Sequence, residues 1–470
     1  MKKVNVRLRP IVSRINMPTV LKTTILPGDS IESLFIATQV GEIFYVRNGG
    51  IGTFLDIRRR ILKIGSTSGG YDERGLIGLA FHPKFHQNGL FYLHYSVAGT
   101  QGPVAFSESF KPNACDTSTL NLQWTQRDIK YDHIDTIEEW MLQSNGQPQR
   151  RRTLLNLRRP FLNHNGVNSL NFSPETGKLV LTTGDGGSAF DPFNLSQNMM
   201  EIAGKIIEID VGMHTSMDNP SIVSRFDELP VPIQEMLTVM AKGVRNITGI
   251  SFQRLNHTYI KYIGNVGQDL AESIFSFVQY KPIPVTQLIQ ASMMSSEPDQ
   301  QGLINFGWRG WEGDLPTFVL RGCPANAGLN EKSMAYFDDA LKTSVLRLQP
   351  LTSYYHEDSR PDKFRGTALT GVQAYSGNEI PDLMGSVVFT DLARKPLQPP
   401  VRGVLAYTRI TADCKQSDYN MIETDYNFGS QSAYYVSLGS NLNQTRLYLG
   451  VYGSMKVADP NQGTVYEIVP

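Results

Sequence analysis

The chain has 470 residues, 40% hydrophobic and 19% charged, with 44 basic side chains against 44 acidic ones. That length and apolar content allow a sizeable core, and the balanced charge gives no overall field that would draw nucleic acid or a membrane surface. Three cysteines, Cys115, Cys323 and Cys414, are too few and too far apart for a disulfide framework or a cysteine-based zinc site.

Residues 1–27 read as an N-terminal extension, basic but without an apolar run of signal-peptide length, and no later run reaches the length of a membrane span. The chain is therefore expected to be soluble, without membrane insertion. Residues 28–470 read as a single domain. SLFIATQVGEIFYVRNGG from Ser33 is a first hairpin, with alternating apolar residues around a turn. Next come three clearer copies of one pattern, an apolar residue, a polar one, Phe, a turn and a strand: LAFHPKFHQNGLFYLHYS from Leu79, LNFSPETGKLVLTTGDGG from Leu170 and ISFQRLNHTYIKYIGNVGQ from Ile250. GVQAYSGNEIPDLMGSVVFTDL from Gly371 and the closing TRLYLGVYGSMKVADPNQGTVYEIVP complete six approximate repeats. One such unit cannot bury its apolar face alone, so the repeats predict an all-β fold, a six-bladed β-propeller with inserted loops and short helices. The strand Thr464–Val469 is expected to pair with the first blade and close the ring. Residues 103–149, 218–242 and 281–301 lack strand alternation and read as insertions, and PVPIQEMLTVMAKG from Pro230 has helical spacing.

Chemistry concentrates in a few segments. NHNG, Asn163–Gly166, joins a general-base candidate, His164, to a glycine that permits close backbone approach. A histidine in a loop is otherwise most often an ordinary hydrogen-bonding residue. NVGQDLAESI, from Asn265, mixes Gly267, Gln268, Asp269 and Glu272, which offer the carbonyl and carboxylate oxygens that a hard cation prefers. GDGGSAFDP, from Gly184, is acidic and glycine-rich but lacks the spacing of a helix-loop-helix calcium site, and reads as a turn. No glycine fingerprint for a nicotinamide cofactor is present.

The segments ERGLIGLAFHP, the stretch from Leu162 to Val211, GVRNITG, NVGQDLAESI and INFGWRGWEG together resemble the soluble glucose/sorbosone dehydrogenase family, quinoprotein β-propellers that also include the propeller of the Hedgehog-interacting proteins. The resemblance implies oxidation of an aldose sugar or related alcohol, with hydride passing to pyrroloquinoline quinone (PQQ) and on to an external electron acceptor. It implies that His164 removes the sugar's anomeric proton and that Arg245 and Asn246 touch the quinone, fixed donors suited to an oxygen gaining negative charge. It places Gly267 and Gln268 against a calcium ion, with Asp269 and Glu272 as further ligands. Glu73 and Arg74 would reach the pocket, Trp308 and Trp311 would wall it, and His82 would be structural. One departure is Ser376 after Tyr375, where glucose-oxidising members carry a Lys that anchors the quinone. Two alternatives follow: a binding propeller without turnover, and a calcium-dependent propeller hydrolase built on Asp185, Asp269 and Glu272.

Overall fold

The computed structural model describes residues 4–66, 70–100, 130–188, 190, 191, 193–294, 296, 300–317, 347–410 and 416–470; the three cysteines lie outside these residues. Each hairpin expected from the repeats is present as an antiparallel pair. Leu79 and its neighbours pair with Leu93, Leu170 with Leu181, Ile250 with Ile263, Val372 with Phe389, and Leu449 with Tyr466. In the first sheet the turn between Glu42–Arg47 and Gly50–Asp56 is made by Asn48 and Gly49, both at positive φ (49° and 75°), a conformation that matches strand twist in a two-residue hairpin.

The strands form four-strand antiparallel runs. The first comprises Pro18–Ile25, Glu32–Thr38, Glu42–Arg47 and Gly50–Asp56; the second Leu76–Phe81, Leu90–Ala98, His133–Leu142 and Pro148–Arg159. The third comprises Leu170–Phe172, Leu179–Thr182, Ile206–Ile209 and Leu237–Lys242; the fourth Ile247–Leu255, Thr258–Asn265, Ala271–Phe277 and Thr352–Tyr355. Apart from short strands at the edges of these runs and the small pair Trp311–Glu312 with Leu315–Pro316, the rest belong to one eight-stranded sheet, running from Leu369–Tyr375 through Ser386–Asp391, Val404–Thr408 and Tyr419–Thr424 to Val4–Ile15, Gly463–Val469, Leu447–Tyr452 and Tyr434–Ser440. Its halves are joined where Val4–Val6 pair in parallel with Ile422–Thr424. Six separate sheets, the simplest form of the expected blades, are thus not what backbone hydrogen bonding produces: two of the runs are fused.

Apolar clusters lie between successive runs. Phe35 and Phe54 pack with Phe91 and Trp140; Tyr92 and Leu154 with Leu179 and Ile207; Met240 with Ile263 and Phe275; Tyr354 with Phe389; Leu405 with Leu449. The last cluster joins Tyr448 and Val465 to Leu21, Leu34 and Ile36 of the first run, so the succession returns to its start in a propeller-like ring.

Other expectations are corrected. The stretch read as an N-terminal extension supplies two strands: Val4–Ile15 alternates buried and exposed side chains and pairs antiparallel with Gly463–Val469. Ring closure therefore takes place in the last run, and not by the last strand joining the first blade. The Pro230 segment is helical only over Val231–Met236; Leu237–Lys242 then pairs with Ile206–Ile209. A strand buried on both faces reads as a continuous apolar run, which spacing alone does not separate from a helix. Likewise, His133–Leu142, assigned to an insertion, is a central strand.

Candidate active site

The loops that lead into the inner strands at Leu76, Leu170 and Ile247 converge at one mouth of the ring. His164, in the second of these loops, is 4% exposed and has a left-handed backbone (φ 60°). Its amide donates to Glu73 Oε2 at 2.7 Å and its carbonyl accepts from Arg159 at 2.8 Å. Its Nδ1 lies 2.7 Å from Asp185 Oδ1. A carboxylate accepts, so Nδ1 carries the proton and Nε2 keeps the lone pair; among the described residues Nε2 has no partner. Asp185 is itself fixed: Oδ1 accepts the Gly187 amide (2.9 Å) and Oδ2 the Trp308 indole N–H (2.8 Å). The two chain segments approach so closely that a Cβ on Gly184 would lie 1.6 Å from the His164 carbonyl oxygen, which restricts that position to glycine. The charge of Asp185 is also felt by Asp191, which is raised to about 6 by burial first and by that neighbour second.

Arg245 adjoins this pair. Its carbonyl accepts the Asp185 amide at 2.8 Å, and its guanidinium donates to Val266 O and to Gln268 Oε1, each at 3.2 Å. The guanidinium carbon lies 5.5 Å from the centre of the Trp308 ring, and Nε is buried with no partner among the described residues. Trp308 is 1% exposed, with Phe190 stacked on it at 5.8 Å. His164, Arg245, Gln268, Trp308 and Glu73 are therefore brought together. Asn246 pins loops, its side-chain oxygen accepting the Gly166 amide at 2.9 Å. Trp311 stands apart, under the guanidinium of Arg347 at 3.8 Å.

Arg74 is placed elsewhere. It is fully buried, bonded to Asp72 at 2.6 and 2.8 Å and to Asp132 at 2.9 Å. Burial alone would raise the Asp132 carboxyl, but His133 and then Arg74 hold it below its ordinary value. Of the two, Glu73 reaches the mouth, where it accepts the His164 amide.

The expected calcium set is not assembled by side chains. Glu272 is fully buried, with Oε1 2.7 Å from His356 Nε2 and Oε2 accepting the amides of Gly267 (3.1 Å) and Leu369 (3.0 Å). Burial would lower His356, yet the hydrogen bond and charge of Glu272 raise it. Asp269 is exposed. Among the described residues no group of three His, Cys, Asp or Glu could hold a metal ion, and Asp185, Asp269 and Glu272, the carboxylates of the hydrolase alternative, sit in separate bonding sets. Only the backbone carbonyls of Gly267 and Gln268 remain as candidate donors of that set.

Two organising contacts escaped sequence reasoning. Asp185 lies in a segment that reads as a turn, and only its partnership with a histidine 21 positions away reveals its role. Glu312, 3% exposed, caps the 267–271 loop by accepting the amides of Gln268, Leu270 and Ala271 at 2.8–3.3 Å, with that of Asp269 between them. Replacing it with Ala strands these donors. Glu312→Ala is expected to lower stability by about 2–4 kcal/mol, measured by denaturant unfolding, whereas Asp269→Ala, which removes an exposed side chain, is expected to change it by less than about 0.5 kcal/mol.

Residues 22–276 match the family model for glucose/sorbosone dehydrogenase. The chain is 24% identical to the HIPL1 protein of Arabidopsis thaliana over 466 residues, covering 92% of this chain and 61% of that protein. It is 25% identical to human Hedgehog-interacting protein over 191 residues, 39% of this chain and 23% of the relative. The chain thus spans about three-fifths of the length of the first of these relatives. Among solved structures it resembles the PQQ-bound aldose sugar dehydrogenase of Streptomyces coelicolor, with TM-score 0.55 and 15% identity over 99% of this chain and 98% of the other. A glucose dehydrogenase-like oxidoreductase of Thermus thermophilus has TM-score 0.54 and 16% identity, with 99% and 100% covered.

Proposed function

The chain belongs to the glucose/sorbosone dehydrogenase family, and on that premise we propose that it oxidises an aldose sugar or related alcohol with PQQ as cofactor, passing electrons to an external acceptor. What carries this reading is the His164–Asp185 pair, whose carboxylate orients the imidazole so that Nε2 stands ready as a base. Nε2 of His164 takes the proton of the substrate hydroxyl, and Asp185 stabilises the imidazolium that forms. Trp308 and the Gly187 amide keep Asp185 from turning away. PQQ, when bound, supplies the hydride acceptor. The donor set suits such a group: a cationic guanidinium with a partnerless buried Nε, beside an indole face and next to the base. Arg245 would hold the quinone, with Gln268 and Glu73 setting the loops around it. Side-chain ligands for calcium do not fit this site, and no step is derived through the ion.

The ring is read here as a six-bladed propeller, with the eight-stranded sheet counted as two blades. Support comes from its two four-strand antiparallel halves, each with its own apolar cluster against a neighbouring run.

The test is to titrate the purified protein with PQQ while following tryptophan fluorescence, then to assay dye reduction with a panel of aldoses. Saturable quenching and sugar-dependent reduction are expected. The second reading, a binding propeller without turnover, is favoured by one observation: both terminal nitrogens of Arg245 are already engaged by Val266 and Gln268. Absence of both quenching and turnover would select it.

A further inference from the structure

The opposite mouth of the ring holds a cavity of about 730 Å³, where the inner strands end. Residues from the ends of Pro18–Ile25, Leu76–Phe81, Leu170–Phe172, Ile247–Leu255, Leu369–Tyr375 and Tyr434–Ser440 all line it. Ser376 is among them, so the position where the sequence suggested a lost quinone anchor belongs to this mouth and not to that of His164.

The lining has a one-sided charge. Lys22 lies on its wall, half-buried, with its ammonium donating to Asn171 Oδ1 at 2.6 Å, and among the described residues it has no carboxylate partner. His82, His86 and Arg254 are the other basic groups of the lining, and among the described residues no Asp or Glu belongs to it. The carboxylates on the strands packed against Lys22 bond elsewhere, Glu32 to the Leu442 amide and Glu467 to Arg9. Amide and hydroxyl groups, Gln373, Gln444 and Ser251 among them, share the remaining surface with apolar side chains such as Phe81, Phe172 and Ile250, and among the described residues Asn168 Oδ1 is buried without a partner.

We propose that this cavity binds a small polyhydroxylated anion, a carboxylate or phosphate ester of a sugar-like polyol, with Lys22 as the anion-binding group. A half-buried ammonium with no counter-ion gains most from a partner that supplies the missing charge. The amides and hydroxyls of the lining suit ligand hydroxyls. Desolvation pushes Lys22 down to about 7, so its charge, and with it the anion affinity, falls as pH rises through neutrality. Tyr259 is the remaining titratable group of the lining. The site is independent of the oxidation reading, because none of the groups assigned to oxidation lines it.

The probes are sulfate, gluconate and glucose, with binding measured calorimetrically on the full chain between pH 6 and 8. Sulfate keeps its charge throughout, so any pH dependence belongs to the protein. Gluconate is expected to bind more tightly than sulfate, and glucose least. Lys22→Gln, which retains a donor to Asn171, is expected to weaken both anions roughly tenfold, and Lys22→Arg to bind them with little pH dependence. Equal anion binding by Lys22→Gln, or glucose binding as tight as gluconate, would overturn the proposal. So would an unchanged pH profile in Lys22→Arg, which would assign the effect to His82 and His86. Failure of PQQ to bind or turn over leaves these outcomes unaffected.

Discussion

His164→Gln is expected to reduce kcat for aldose oxidation by about 10²–10⁴-fold, the usual contribution of a positioned general base, while leaving the unfolding midpoint nearly unchanged. The glutamine keeps a polar group near Asp185 but cannot take a proton. Asp185→Asn should fall in the same range by a different route. An amide can donate to Nδ1, which favours the tautomer with the proton on Nε2, where the base needs its lone pair. Both losses belong in kcat, because the sugar-binding groups are retained. His82→Ala is the control: His82 bonds the Lys84 amide and Asn88 at the other mouth, and its loss should leave turnover intact. Equal activity in His164→Gln and the unaltered chain would remove the assigned base.

Arg74→Met is expected to destabilise the fold by about 3–5 kcal/mol, the cost of leaving a buried charge uncompensated. The side chain is enclosed and bridges Asp72 to Asp132, which in turn lies 2.7 Å from His133. Methionine fills the volume but strands two carboxylates. Denaturant unfolding at neutral pH should show the loss. Lowering the pH should narrow the gap between the two proteins, because protonation relieves the stranded carboxylates of the variant while the Asp132 interactions of the parent are lost as pH falls through its depressed value. If Arg74 instead touched a cofactor, the variant would keep its stability and lose quinone affinity.

The hairpins were legible in the sequence because period-two alternation and turn residues are local. That His164 and Arg245 lie close together was legible from short motifs, and both touch Asp185. What remained hidden was decided by direction and distance. Glu73 and Arg74 are adjacent in the chain yet belong to different environments, one at the mouth and one in an ion network. Ser376 follows an inner strand, and only the direction of that strand shows which mouth it faces. Glu312 acts on a loop more than forty positions before it, and nothing in its own WEG setting marks a carboxylate that collects backbone amides. The carboxylates expected around calcium are not gathered for a related reason, since a loop rich in acidic residues does not reveal which of its oxygens backbone amides already occupy.

The pairing of Val4–Ile15 with Gly463–Val469 joins segments such as Arg9 and Glu467, 458 positions apart. At ordinary elongation speeds the earlier strand leaves the ribosome on the order of half a minute before its partner exists. Throughout that interval its alternating Val4, Val6 and Leu8 face no sheet, and the edge at Tyr419–Thr424 that will receive them is also unmade for most of it. Assembly of this molecule is therefore limited by its slowest contact, and the nascent chain must be kept from pairing with neighbouring copies until synthesis is almost over.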